Sequence, residues 1–137
     1  RTKLGRNTRA VSTVRFSKNG KFFFCSDKHN DSNVYCFEVE TMKLVGTEKC
    51  GSDPVIDAET GNENRFACAT KSGVWFFQCN NGVMSKNRCI FGNNPRTAMS
   101  SITYSQDDSC FLSGSVDGYI FYWNEQDNTC TKVRQIH

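Results

Sequence analysis

Hydrophobic and polar residues alternate in short blocks along this chain of 137 residues. The first block, VSTVRF at 11–16, alternates in the manner of a half-buried strand, and the polar stretch SKNGK after it is a turn sequence. FFFCS then has the composition of a second, more buried strand. Because β-branched and aromatic side chains dominate these blocks, the pattern predicts an all-β chain of short antiparallel strands.

The same succession of blocks occurs three times. Each copy opens with a strand, a turn and a second strand, in the segments AVSTVRFSKNGKFFFCSD, PVIDAETGNENRFACAT and AMSSITYSQDDSCFLSGS. Each continues into an apolar third strand, in SNVYCFEV, SGVWFFQ and GYIFYWN. More polar fourth strands follow, in MKLVGTEK, VMSKNRCIF and CTKVRQIH. Val11, Val55 and Met99 head the copies, which gives a spacing of 44 residues both times.

A period of about 40 to 45 residues with four short strands per copy is typical of a WD-type β-propeller. We therefore predict part of one propeller domain, with residues 1–8 as the last strand of a preceding blade and four-stranded blades at 9–50, 51–93 and 94–137. Pro54 and Pro95 each precede a first strand, where a missing N–H costs no ladder bond. Three blades do not close a ring of about four to eight, so the expected partners include the remainder of the propeller.

Aromatic residues end the three third strands, at Phe37, Phe77 and Trp123. The pair Asp117–Gly118 is predicted to make the reversal into the last of these strands. Trp123 is expected to pack between neighbouring blades. We interpret these aromatic residues as core and not as a cage for a ligand.

The eight cysteines show no C-x-x-C spacing and no nearby pair of histidines. Several of them stand inside apolar runs, as in FFFCS and RFACAT. They are predicted to serve as small buried hydrophobic residues in a reducing cytosol. The sequon Asn30-Asp31-Ser32 leaves a secreted protein with disulfides open as the alternative.

The net charge of +3 combines alternating blocks, with +7 over residues 1–28, −6 over 29–63, +5 over 64–106 and −3 over 107–137. Nucleic-acid binding calls for a concentrated basic face, which this pattern does not indicate. No apolar run approaches the roughly 18 residues that cross a bilayer, so no membrane contact is predicted. Because the chain begins at an arginine, we expect it to be a piece of a longer protein.

Catalysis is not indicated. The chain has two histidines, no phosphate-binding glycine loop and nothing that places a nucleophile beside a base. We therefore predict neither an enzyme nor a cofactor or metal site. The alternative is a rigid scaffold that works through the loops at its two rims.

The two rims differ in charge. One rim consists of the connections from fourth to first strands and from second to third strands. Its charged residues sum to a net charge of +2. We call it the basic rim, with Arg6, Arg9, Lys28, Lys49, Lys71 and Arg96 against Asp27, Asp31, Asp53 and Asp117. The opposite rim has a net charge of −3. Its bases are Lys18, Lys21, Lys43 and Arg65, and its acids are Glu38, Glu40, Glu63, Asp107, Asp108, Glu125 and Asp127. Candidate partner-binding residues are Arg6, Arg9, Lys28, Lys71 and Arg96, although scattered rim charges are also often only solvated.

Three stretches resemble the echinoderm microtubule-associated protein-like family. They are Arg9-Ala10-Val11 leading into VRFSKNGK, the widened turn at 27–31, and Cys89-Ile90-Phe91-Gly92 ahead of the next blade. The resemblance covers residues 9–137 and implies three consecutive blades of that family's first propeller. The chain departs from the WD pattern with Phe37-Glu38, Phe77-Gln78 and Trp123-Asn124 where WD dipeptides would stand, and with Thr60 in place of an aromatic residue.

The resemblance implies a non-catalytic scaffold that binds tubulin or microtubules, together with other cytoskeletal or axonemal proteins. It implies a location in the cytoplasm and cytoskeleton, with the axoneme of a cilium or flagellum as the more specific hypothesis. An acidic tubulin surface would suit the basic rim. The alternative function is a general interaction propeller, an adaptor that binds a peptide of another complex.

Overall fold

The computed structural model describes residues 10–28, 31–51, 53–107 and 109–136. In these residues twelve strands form three four-stranded antiparallel sheets, which confirms the predicted all-β architecture. Sheet 1 contains β1 (Val11–Phe16), β2 (Phe22–Asp27), β3 (Asn33–Glu38) and β4 (Leu44–Lys49). Sheet 2 contains β5 (Asp57–Thr60), β6 (Arg65–Thr70), β7 (Gly73–Asn80) and β8 (Val83–Arg88). Sheet 3 contains β9 (Met99–Ser105), β10 (Cys110–Ser115), β11 (Tyr119–Asn124) and β12 (Cys130–Gln135).

Each sheet is a meander in which consecutive strands are neighbours. The first strands β1, β5 and β9 lie beside one another, and the fourth strands β4 and β8 are also in contact. Successive sheets therefore pack face to face, with first strand against first strand and outer strand against outer strand. This is the arrangement of blades in a propeller.

Aromatic side chains fill both spaces between the sheets. Between sheets 1 and 2, Phe24 stacks on Phe66 with ring centroids 5.0 Å apart, and both are fully buried. Between sheets 2 and 3, Phe76 packs against Phe111 at 5.0 Å beside the fully buried Trp123. Burying each such side chain contributes about 2 to 3 kcal/mol, so these two layers are the main source of stability.

Hydrogen bonds also join the first strands of neighbouring sheets. Asp57 on β5 accepts from the Ile102 backbone N–H at 3.0 Å, and its other oxygen lies 3.5 Å from a guanidinium nitrogen of Arg15. Thr60 donates its hydroxyl to the Phe16 carbonyl at 2.8 Å. Thr60, which takes the place of an aromatic residue, therefore links sheets 1 and 2.

Two strand boundaries differ from the sequence-based expectation. Val55 lies two residues before β5, because its backbone N–H bonds the Ser32 hydroxyl and its carbonyl accepts from Ser12. The fourth strand of the middle copy ends at Arg88. Ile90 instead forms a parallel bridge with Thr129, next to sheet 3.

Strand β1 does not have the burial that its alternation predicted. Thr13 is buried, whereas Val11, Val14 and Phe16 are about half or more exposed. A bulge between Val11 and Thr13 shifts the register, and the Thr13 hydroxyl then bonds the Ser26 hydroxyl at 2.7 Å. Phe16 lies on the face of sheet 1 that is turned away from sheet 2.

All eight cysteines are free thiols, seven of them buried and Cys130 half-buried. Cys50 and Cys68 are neighbours between sheets 1 and 2, and Cys36 and Cys79 form a second pair there. Burial raises the pKa of the Cys68 thiol well above its ordinary value. These thiols therefore pack as small apolar side chains.

Candidate interaction surface

The aromatic residues that end the third strands occupy equivalent positions in the three sheets. Phe77 packs between sheets 1 and 2, and Trp123 packs between sheets 2 and 3. Phe37 is buried on the face of sheet 1 turned away from sheet 2, where it stacks on Phe23 at 5.1 Å. Each of the three faces the same way out of its sheet, and each is buried.

Trp123 is further held by a hydrogen bond. Its indole N–H donates to the Ser113 hydroxyl of the neighbouring strand at 2.7 Å, and Phe91 packs edge-on against its ring at 5.1 Å. Ser113 itself is buried. The polar edge of the largest core side chain is thereby satisfied inside the protein.

Asp117 and Gly118 lie in the turn between β10 and β11. Gly118 has φ of +90°, a conformation that glycine adopts without strain, and its N–H lies 3.3 Å from the Ser115 carbonyl. The Asp117 carboxylate accepts from the Ser115 hydroxyl, and this bond lowers the pKa of Asp117. Asp117 is exposed and belongs to the surface of the basic rim.

The cations of the basic rim are exposed wherever the structure describes them, at Lys28, Lys49, Lys71 and Arg96. Lys49 lies 3.9 Å from the Asp31 carboxylate in an exposed ion pair. Lys71 and Arg96 form no ion pair with any residue in the described ranges. Arg6 and Arg9, the other two candidates, lie outside the described residues.

Asp27 was assigned to the basic rim, and the structure corrects that assignment. Its carboxylate is fully buried and accepts from the Asn33 backbone N–H at 3.0 Å and the Tyr35 hydroxyl at 3.1 Å. Asp53 is half-buried and bonded to the Ser72 hydroxyl. The acids of this rim thus offer less negative charge to solvent than the sequence count implied.

Sequence reasoning missed a cationic group beside the basic rim, which we call the Trp75 patch. It consists of Trp75, Lys49, Lys86 and Arg88. The Lys86 ammonium lies 5.8 Å from the Trp75 ring centroid and the Arg88 guanidinium 5.5 Å, both in the range of cation–π contacts. Lys86 also donates to the Lys49 carbonyl at 3.1 Å and lies 3.5 Å from Glu48.

A sequence signal for this patch did exist. Lys86 and Arg88 stand two residues apart, which places them on one face of a strand, and β7 pairs Trp75 directly with Arg88. The pairing depends on the register of β7 and β8, which the sequence alone did not define. Recognising the patch therefore required the pairing of β7 with β8, which the structure supplies.

Two clefts flank the loop from β8 to β9 on the basic rim. One has a volume of about 180 Å³ and is lined by Asn94, Pro95, Thr97, Asp117, Tyr119, Phe121 and Val133. The other, of about 200 Å³, is lined by Arg88, Cys89, Ile90, Phe91, Gly92, Asn94 and Arg96. The first offers aromatic and aliphatic walls, whereas the second presents two cations to one opening.

Two charges of the opposite rim are also placed differently from the expectation. Glu125 is only 3% exposed, and its Oε1 accepts from the Tyr104 hydroxyl at 2.8 Å. This environment raises the pKa of Tyr104 to about 12, first through burial and then through the Glu125 carboxylate. The Arg65 side chain is only 12% exposed. Neither charge is fully presented to solvent.

Two kinds of feature are absent from the described part of the chain, a metal-binding cluster and a membrane-spanning helix. This part contains no group of three or more His, Cys, Asp and Glu residues placed to hold a metal ion. It also contains no helix with the length and apolar character to cross a membrane.

Comparison with known proteins agrees with the fold. The family described as WD domain, G-beta repeat matches residues 1–38 and 86–124, which is more than half of the chain. The solved β-propeller domain of Cps50 (Swd1) from Myceliophteria thermophila superposes with a TM-score of 0.77 over 98% of this chain and 44% of that one, at 14% identity. Echinoderm microtubule-associated protein-like 2 of Rattus norvegicus is 25% identical over 133 residues, 94% of this chain.

The chain spans 20% of the length of that rat relative and under half of the solved propeller chain. Its three sheets therefore correspond to part of the solved propeller domain. The repeat period, the four-stranded sheets and the family match agree, and the chain belongs to the WD-repeat family of β-propellers.

Proposed function

We propose that this chain is part of a non-catalytic scaffold that binds microtubules through the basic rim and the Trp75 patch. WD-repeat propellers are protein-interaction scaffolds, and the fold supports that much directly. The name of the rat relative refers to microtubule association, and this motivates the finer proposal. We further propose a cytoskeletal location, including the axoneme of a cilium or flagellum.

The Trp75 patch is the observation that carries the proposal. Arg88 has no ion-pair partner in the described residues, and its guanidinium is held over the Trp75 ring at 5.5 Å. A cation that is already ordered loses less side-chain freedom when it meets a partner. Arg88, together with Lys71 and Arg96, gives this surface a positive electrostatic potential, which favours an acidic protein surface as its partner.

Charge reversal tests the proposal. Arg88→Glu and Arg96→Glu should each weaken binding to polymerised tubulin by about fivefold, because an attraction becomes a repulsion. Lys43→Glu is the matched control, since Lys43 is also exposed but lies on the opposite rim. Equal loss in all three variants would point to a nonspecific effect of net charge and would contradict the assignment of the surface.

A second candidate function is an adaptor that binds a peptide of another complex. The cleft of about 180 Å³ beside Asn94, with Tyr119, Phe121 and Val133 in its wall, favours it, since it could take an apolar side chain. Such binding would depend little on salt. Binding through the cations of the basic rim and the Trp75 patch would instead weaken as the ionic strength rises.

A further inference from the structure

Two buried charged atoms line one small cleft on the opposite rim. The cleft has a volume of about 60 Å³ and lies between sheets 2 and 3. Arg65 Nη1 and Glu125 Oε2 are both buried there, and neither is hydrogen-bonded to any residue in the described ranges. Leaving a buried charged atom without a partner is costly, so the pair calls for an explanation.

Glu125 is held from one side only. Its Oε1 accepts from the Tyr104 hydroxyl at 2.8 Å, while Oε2 is left over. Gly61 leaves the space that this second oxygen occupies, because a Cβ at residue 61 would lie 2.8 Å from Oε2. With the residue only 3% exposed, the carboxylate is buried and oriented before any ligand arrives.

Arg65 also has a buried atom, Nη1, that is hydrogen-bonded to no described residue. Its Nη1 lies 3.3 Å from the Glu63 carboxylate, an ion-pair distance, but without the geometry of a hydrogen bond. The Glu63 side chain is 67% exposed, so solvent screens much of this attraction. The guanidinium therefore retains a donor for a group that enters the cleft.

The chemistry of the two atoms restricts what can satisfy both. An ionised Glu125 only accepts hydrogen bonds, and Arg65 only donates them. An ammonium group would bond Glu125 but offers Arg65 no acceptor, and a carboxylate has the reverse defect. A primary carboxamide carries a donor and an acceptor without a net charge, and thus serves both.

The remaining wall of the cleft has the same character. It includes the amide side chains of Gln78, Asn87, Gln126 and Asn128 together with Phe76 and Phe77. The open space of about 60 Å³ is more than one water molecule needs, so the cleft has room for a small polar group. A side-chain amide on a protein segment passing over the rim is of that size.

We propose that the cleft between Arg65 and Glu125 binds the primary carboxamide of an asparagine or glutamine side chain of a protein partner. The site lies on the opposite rim, away from the basic rim and the Trp75 patch. It is therefore independent of the function proposed above. A partner held here could be bound at the same time as one on the basic rim.

Three peptides test the proposal, acetyl-Ala-Gln-Ala-N-methylamide and its counterparts with glutamate or lysine in the centre. The methylated terminus leaves the glutamine side chain as the one primary amide in the set. Each is titrated into the intact protein while the backbone amide signals of Gly61 and Gln126 and the Arg65 Nε–H signal are followed by NMR. We expect the glutamine peptide to bind at least about tenfold more tightly than the other two. Equal shifts with all three would overturn the proposal and leave the cleft as a water site.

Variants locate the binding. Arg65→Met keeps the aliphatic stem and removes the donor, and Glu125→Gln keeps the shape and removes the charge. Each should weaken the glutamine peptide by about fivefold or more. Glu40→Gln, an exposed acid on the same rim outside the cleft, is the control and should leave the affinity unchanged. If Glu125→Gln does not fold, the affinity of Arg65→Met for the glutamine peptide is the deciding measurement. An unchanged affinity in that variant would contradict the proposed binding site.

Discussion

Asp57 accepts a hydrogen bond from the backbone N–H of Ile102 at 3.0 Å, and the bond joins the first strands of sheets 2 and 3. The same carboxylate lies 3.5 Å from Arg15 on the first strand of sheet 1. One side chain therefore contacts both neighbours of the middle sheet. This explains how β5, which has only four residues, keeps its place between two longer strands.

Removing that carboxylate should loosen both contacts. We expect Asp57→Ala to lower the free energy of unfolding by about 1 to 3 kcal/mol, because the Ile102 N–H loses its acceptor. Urea unfolding measures the effect. Asp107→Ala, an exposed acid in the turn after β9, is the control and should change stability by no more than about 0.5 kcal/mol. An equal effect of the two substitutions would show that Asp57 does not join the sheets.

Ser113→Ala should destabilise the space between sheets 2 and 3. The substitution leaves the buried indole N–H of Trp123 without its acceptor, at a cost of about 1 to 3 kcal/mol. Thermal unfolding should show a lower midpoint than for Ser85→Ala, whose hydroxyl is exposed. A Ser113→Ala variant as stable as the control would mean that the indole finds another partner.

Gly51 and Gly20 form a matched pair. Both have positive φ, +59° and +73°, so alanine should cost about 1 kcal/mol at either position. A Cβ at residue 51 would also lie 3.3 Å from Trp75, whereas nothing lies within 4 Å of one at residue 20. We therefore expect Gly51→Ala to lose more stability in chemical unfolding and to disturb the Trp75 fluorescence. Equal losses would show that the ring yields without cost.

The thiols should make the fold sensitive to alkali. Burial, with the Asp27 charge second, raises the pKa of Cys25 from 9.0 to about 11. Between these values the unfolded chain releases a proton that the folded chain keeps, so stability falls as the pH rises from about 9 to about 11. At pH 10 the loss from this thiol is about 1 kcal/mol.

Urea unfolding at pH 8 and pH 10 tests this prediction. Cys25→Ala should show a smaller decline between the two pH values than the parent protein. The control is Cys130→Ala, since Cys130 is only half-buried and the pKa of its thiol is raised less than that of Cys25. A decline that is the same in all three proteins would contradict the assigned cause.

The repeat was predictable from two periods in the sequence. Apolar residues recur every two residues along a strand with one buried face, and the whole blade pattern recurs every 44 residues. Trp123 and Phe77 follow from that pattern, since large apolar residues at equivalent positions have to be buried. The exposure of Val14 and Phe16 did not follow, because the alternation does not show that they lie on the face of sheet 1 turned away from sheet 2.

The surface was less predictable than the core. A count of rim charges treated Asp27, Arg65 and Glu125 as solvent-facing, but each is largely buried through contacts with residues far along the chain or across a turn. The Trp75 patch depends on which residue of β8 lies opposite Trp75, and that is a property of pairing. Composition reports charge, whereas burial and register decide which charges a partner meets.

The measurement that tests the central claim most directly is co-sedimentation of the intact protein with stabilised microtubules at low and at high salt. The account predicts that the protein pellets with microtubules at low ionic strength. It also predicts that the bound fraction falls steeply as salt screens the cations of the basic rim and the Trp75 patch. A protein that stays in the supernatant at low salt, or pellets equally at both salt concentrations, would contradict it.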